Sequence, residues 1–274
     1  MTQDISALSA REAAFLLHLA GAGHTLFSIA EARDYWDDAG YTRNILSRLV
    51  RKGWLQRLQR GRYMVVPLEA GPERNWSENA WIVASHLIHP AAVAYWSALH
   101  YWAMTEQVPR IVFVQSTRRK RPARVSGVRF RFVTLSQSRF FGVSRRTLDG
   151  KVFYVTDREK TMLDAAARPD LSGGIGQLAE ALRSSVGEMN WERLDQYLIR
   201  WGGGTPVKRL GYLADALEID VPDRERRLQT WQQMISQGVS LLEPGSAPTG
   251  RVITRWRVRL NGEIGRIRSR RIDK

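Results

Sequence analysis

The residues best suited to chemistry lie between positions 39 and 66. In Ala39-Gly40-Tyr41-Thr42-Arg43-Asn44-Ile45-Leu46-Ser47-Arg48-Leu49-Val50-Arg51-Lys52-Gly53-Trp54-Leu55, a helical repeat gathers Ile45, Leu46, Leu49 and Val50 into one apolar stripe. The same repeat sets Asn44, Ser47, Arg48 and Arg51 on the opposite face. Arginine and asparagine are the side chains that meet guanine and adenine edges in bidentate geometry. Asn44, Arg48 and Arg51 are therefore the candidates for base readout. Thr42 and Ser47 are expected to touch phosphate or base, and Arg43 and Lys52 to hold the backbone. No acidic residue occurs from Thr42 to Arg62. Leu55 to Val66 alternates and turns about Gly61 as a hairpin does, which puts Arg60 and Arg62 near its tip, positioned for minor-groove or phosphate contact. Helix followed by basic hairpin is the arrangement with which a winged helix-turn-helix holds double-stranded DNA.

These residues need a module to position them, and the preceding sequence supplies one. Ser9-Ala10-Arg11-Glu12 is a capping box opening a first helix that ends at Gly21-Ala22-Gly23. Phe27 to Ala32 reads as a short second helix, and Asp37 to Gly40 as the turn before the third. Phe15, Leu19, Ile29, Ile45, Leu46, Leu49, Trp54 and Tyr63 are expected to form the core. Glu69-Ala70-Gly71-Pro72-Glu73-Arg74 is a polar joint, which divides the chain into residues 1–70 and 75–274.

Composition agrees with a polyanion partner. The 274 residues carry 42 Lys and Arg against 27 Asp and Glu, a formal charge of +15, which biases a protein towards nucleic acid. Zero cysteines exclude disulfides, thiolate catalysis and cysteine zinc sites. There is no apolar run near the ~20 residues of a membrane helix and no leader-like start, so no membrane association is expected and the cytoplasm is the expected compartment.

A second basic block runs from Arg110 to Arg146 without an acid and includes Arg118, Arg119, Lys120, Arg121, Arg129 and Arg131. With Arg255, Arg257 and Arg259, which alternate with Trp256, Val258 and Leu260 in a predicted strand over 251–260, it makes a candidate second phosphate-contacting sheet face. Arg266, Arg268, Arg270, Arg271 and Lys274 extend this charge into the tail.

Beyond residue 75 the pattern predicts helices over 76–88 and 91–104, then strands at 110–114, 128–133 and 151–155. Thr156-Asp157-Arg158-Glu159 is a second capping box, opening a helix to about 167, with Thr117 to Arg124 a solvated loop. Helices follow near 177–186, 190–201, 206–217 with Thr205 as N-cap, and 224–237. The fold class is α+β: a winged helix-turn-helix, then a mixed domain of sheet and helical bundle.

Enzyme signals are poor, and no catalytic residue, metal or cofactor is expected. His86 and His89 lack the context of a zinc helix, Asp157 and Glu159 suit a helix cap, and Gly173-Gly174-Ile175-Gly176 lacks the Lys-Ser/Thr of a phosphate-binding loop. Trp96, Tyr101 and Trp102, at helical spacing, read as core before partner surface.

Several motifs carry a resemblance. Tyr95 to Arg110, with Ser97-Ala98-Leu99-His100 and Thr105-Glu106-Gln107-Val108-Pro109, resembles the central signature of AbiEi-type abortive-infection antitoxins. Phe140-Phe141-Gly142, Val155 to Asp164 with Arg168-Pro169 and Gly173-Gly174, and Arg255 to Asn261 agree in order. One departure is Ala103, where the family run carries Gly. The resemblance implies an N-terminal domain that binds promoter repeats and represses its own toxin–antitoxin operon, in phage defence. It also implies a C-terminal antitoxin domain that counteracts a nucleotidyltransferase-like toxin. The alternatives are a stand-alone repressor or, further off, a metal-dependent nuclease.

Overall fold

The computed structural model describes residues 7–71 and 77–261; Pro72, Glu73 and Arg74 of the expected joint, and the basic tail from Arg266 onward, lie outside them. The N-terminal part runs α1 (Ala10–Gly21), β1 (Leu26–Ser28), α2 (Ile29–Trp36), α3 (Ala39–Arg51), β2 (Leu55–Gln59) and β3 (Arg62–Val65). Ser9 caps α1 as expected, its side chain accepting from the Glu12 amide while Glu12 reaches back. All eight expected core residues gather in one cluster, with Ile29 and Trp54 at its partly buried margin. The second helix starts later than its sequence suggested. Leu26–Ser28 first pairs with β3, and Ser28 then forms its own capping box with Glu31, giving an antiparallel sheet in the order β1-β3-β2.

The rest of the chain contributes α4 (Ala80–Leu87), β4 (Ala92–Val93), α5 (Tyr95–Tyr101), β5 (Ile111–Ser116), β6 (Ala123–Val125), β7 (Val128–Thr134), β8 (Val143–Leu148) and β9 (Lys151–Thr156). Then come α6 (Arg158–Ala167), α7 (Ile175–Ser184), α8 (Trp191–Trp201), α9 (Thr205–Ala216), α10 (Arg224–Gln233), β10 (Ser240–Leu241), β11 (Val252–Ile253) and β12 (Val258–Arg259). Six strands form a mixed sheet in the order β6-β7-β5-β4-β9-β8. One face carries Val93, Val112, Val114, Phe130, Phe153 and Val155 and packs against α4. Phe113, with Tyr95 and Leu171, forms a smaller cluster at α5, and the helices α6 to α10 share a large core that includes Trp191, Trp231 and Trp256.

Several elements differ from the sequence expectations. The predicted helix over 91–104 begins only at Tyr95, because Ala92 and Val93 are drawn into the sheet between β5 and β9, and an apolar run this short fits either state. The expected 117–124 loop ends in strand β6, which pairs with β7, and β8, which was not anticipated, pairs with β9. The cap of α6 is Asp157 rather than Thr156, its side chain accepting from the Lys160 amide; Glu159 instead accepts from the Asn190 amide at 2.7 Å. Gly204, not Thr205, is the N-cap of α9. The predicted strand over 251–260 is broken by a turn at 254–257. That turn inserts Trp256 against Gly211, where any Cβ would collide with the ring, and brings its Nε1 to donate to Asp215 at 2.9 Å.

The sheet of the N-terminal part has two working faces. Phe27, Leu55 and Tyr63 point into the helical core, whereas Leu26, Leu58 and Met64 are buried in the core of α4 and the six-stranded sheet. Polar contacts rim that seam. Gln59 Nε2 donates to the Leu87 carbonyl at 2.9 Å, Lys120 Nζ donates to Gln59 Oε1, and Gln56 Nε2 donates to Ser126 Oγ at 3.0 Å.

Candidate nucleic-acid interface

Helix α3 is started by Asp38, whose carboxylate accepts from the amides of Gly40 at 2.8 Å and Tyr41 at 2.9 Å. An acid at this N-cap satisfies free amides and opposes the helix dipole's positive end. Ile45, Leu46 and Leu49 are fully buried, and this fixes the helix's rotation so that Arg43, Asn44, Ser47, Arg48 and Arg51 are exposed. Asn44, Ser47, Arg48 and Arg51 thus share one solvent-facing surface. Arg43 is folded back, its Nε donating to the Ala39 carbonyl at 3.1 Å.

Two expected contact residues are not available in that way. Thr42 is 0 % exposed and its hydroxyl donates to the Asp38 carbonyl, because position 42 falls on the inner edge of the stripe. Lys52 is largely buried and donates to Glu12 at 2.7 Å and to the Ala7 carbonyl at 3.0 Å. Glu12 also pairs with Arg48, Nε to Oε1 at 3.4 Å. The sequence reading gave Glu12 only its capping role.

In the hairpin, Gly61 turns the chain with φ 72° and its carbonyl accepts from the Ile29 amide at 2.8 Å. Arg60 is exposed at this turn, while Arg62 is half-buried beside β1, opposite Ser28. Burial holds His86 and Lys120 below their ordinary pKa values, and the charge of Arg62 adds to the effect on both. Arg62 therefore sits at the seam, with its charge directed at the second half of the chain as much as at solvent.

The second basic block divides. Arg118, Arg119 and Arg121 are exposed in the connection from β5 to β6, and Arg129 and Arg131 are exposed on β7, with Arg131 5.9 Å from the centre of the Phe113 ring. Lys120 is taken up by Gln59 and lies 5.4 Å from the Phe132 ring. Arg255, Arg257 and Arg259 do not continue this face. They belong to the separate β10-β12-β11 sheet and its turn. Arg255 is paired with Asp215 at 3.0 Å, Arg257 donates to the Ser236 carbonyl at 3.3 Å, and Arg259 donates to the Gly250 carbonyl at 3.0 Å.

The motif residues of the second half have structural work. Ser97 Oγ donates to the Ile111 carbonyl at 3.2 Å and accepts from the Phe113 amide at 3.0 Å, bracketing α5 to β5. Trp102 Nε1 donates to the Thr156 carbonyl at 2.7 Å. Gly142, at φ 64°, would bring a Cβ to 2.7 Å from Lys160 Cβ. Lys160 and Asp164 form a fully buried pair, to which Gln115 Nε2 donates at 2.6 Å; burial raises the Asp164 pKa against the opposing pull of Lys160. Trp96 packs at the α5 cluster, and Tyr101 and Trp102 at the α4 core. Among the described residues no group of three His, Asp or Glu is placed to hold a metal ion, and no helix is long and apolar enough to cross a membrane.

Comparison with known proteins finds a family likeness at the N-terminal end. Residues 14–66, which include α2, α3 and the hairpin, match the family described as transcriptional regulator, AbiEi antitoxin. No curated protein matches the chain. Among solved structures, the chain is similar to the RV2827C protein from Mycobacterium tuberculosis, with a TM-score of 0.61 over 92% of each chain at 16% identity, a likeness of fold.

Proposed function

We propose that this chain is a DNA-binding regulator whose N-terminal winged helix-turn-helix, residues 1–70, reads an operator. Helix α3 lies in the major groove and Arg60 holds the backbone from the hairpin. The observation that carries the reading is the exposed face of Asn44, Ser47, Arg48 and Arg51 on a helix whose other side buries Ile45, Leu46 and Leu49 completely, within the segment that matches the regulator family. Such a face has hydrogen-bonding reach, positive charge and a rigid mount, the three requirements for direct readout. In the finer reading the operator controls the chain's own toxin–antitoxin operon. Residues 75–274 then form the antitoxin domain that counteracts a nucleotidyltransferase-like toxin, and Arg129 and Arg131 supply further phosphate contacts.

The test is selection of duplexes from a random pool by the full chain, followed by binding measurements on the selected sequence. Arg48→Ala is expected to weaken that binding by about 1–3 kcal/mol. Full affinity in the Arg48→Ala/Arg51→Ala double variant would remove α3 from the interface. Co-expression with the neighbouring reading frame tests the antitoxin half: relief of that frame's toxicity is expected, and persistent toxicity would leave a stand-alone repressor.

A further inference from the structure

One carboxylate lies directly beneath the cationic face of α3. Glu12 is the third residue of α1, its side chain is 1 % exposed, and it sits between Arg48 of α3 and Lys52, the residue that caps the C-terminus of α3. Oε2 accepts from the Ser9 amide at 2.8 Å, which completes the helix cap, and from Lys52 Nζ at 2.7 Å. Oε1 has no hydrogen-bond partner and faces Arg48 Nε at 3.4 Å. A cap needs one oxygen, so the second, buried and turned to an arginine that is 45 % exposed, is surplus to the capping role. Burial pushes the Glu12 pKa up, but hydrogen bonds from Lys52 and Ser9 outweigh it and hold the group below the usual carboxylate range. The charge is therefore in place at neutral pH.

We propose that Glu12 is a positioning residue for sequence readout: it anchors Arg48 at Nε so that the guanidinium fork is aimed outward at a base edge, and it withdraws Lys52 from the duplex. This rests on the reading of α3 as the recognition helix. Arginine's fork matches a guanine edge only in a fixed plane, and a long side chain left free must be ordered at the moment of binding. A contact at the base of the fork orders it beforehand and leaves Nη1 and Nη2 for the base. The acid also opposes indiscriminate attraction to phosphate, so its effect is on discrimination rather than on overall affinity.

The full-length chain and its Glu12→Gln variant are to be compared on the selected duplex and on a scrambled duplex of equal length. Glutamine serves at this cap position but cannot hold the arginine by charge. The ratio of scrambled to selected Kd is expected to fall about tenfold, with binding to the scrambled duplex unchanged or tighter. In an Arg48→Lys background, which lacks the fork, Glu12→Gln should change the ratio by less than about twofold. An unchanged ratio in the Arg48 protein, or equal shifts on both duplexes, would overturn the positioning role. If Glu12→Gln does not fold by circular dichroism, Glu12→Asp serves the same comparison, since it keeps the charge but shortens the reach to Arg48. Failure of the parent reading looks different. There, Arg48→Ala/Arg51→Ala would keep the sequence preference, whereas loss in that double variant with an intact ratio in Glu12→Gln overturns this inference alone.

Discussion

At the scale of single residues, the chain's departures from simple rules are informative. Ala103 follows α5 with φ 55°, a left-handed conformation that costs an L-residue about 1–2 kcal/mol. Replacing it with glycine relieves that strain but loosens the unfolded chain by roughly 0.5–1 kcal/mol. Ala103→Gly is thus expected to stabilise by up to about 1 kcal/mol, read as a rise of ~2 °C in Tm by calorimetry. A fall in Tm would mean that the alanine methyl makes compensating contacts. Residue type alone made Asn44, Ser47, Arg48 and Arg51 legible, because helical spacing sorts a face without knowledge of neighbours. It failed for Thr42 and Lys52. A threonine at the margin of a stripe and a lysine at a helix end are sorted by what packs beside them, here the Asp38 carbonyl and the Glu12 carboxylate.

At the scale of elements, most strong local signals survived, the second capping box being displaced by one residue to Asp157, and weak ones did not. The capping box at Ser9, the apolar stripe of α3 and the turn at Gly61 each carry their own physics and fell where expected. Strand β4 and the turn at 254–257 do not, since two-residue strands and a tryptophan insertion are dictated by distant partners such as β5, β9 and Gly211. The least visible feature was the second face of the hairpin sheet. Leu58 and Met64 looked like ordinary hairpin residues, yet both are buried against α4 and the larger sheet. Met64→Ala removes a fully buried side chain and is expected to cost about 2–5 kcal/mol. Because that side chain belongs to the core beyond residue 77, the loss should appear in urea unfolding followed at both halves of the chain. A destabilisation confined to the N-terminal half would show that the seam contributes little to cooperativity.

At the scale of the whole molecule, charge directs the expectations. Arg129 and Arg131 stand exposed on β7 in a stretch of sequence without an acid, whereas Arg255 is paired with Asp215 at 3.0 Å. If β7 touches the duplex, Arg129→Ala/Arg131→Ala should lower the log–log salt slope of binding by about 2, since each neutralised phosphate contributes ~0.9. The slope should be unaltered in Arg255→Ala, and an unchanged slope in the first variant would remove β7 from the phosphate contact. Net charge raised the expectation of a polyanion partner from composition, but it could not say which arginines were paired, because pairing is a property of the folded surface.

The seam along Leu26, Leu58 and Met64 also bears on how such a protein can change over evolutionary time. A reader module that buries one side of its own sheet in its neighbour is not an interchangeable cartridge. Grafted onto an unrelated body at residue 71, it would carry three bare apolar side chains and an unanswered Gln59 into solvent, an aggregation-prone surface. Under the proposed function, new operator preferences are therefore most accessible through substitutions on the outer face of α3, where they leave the shared core untouched.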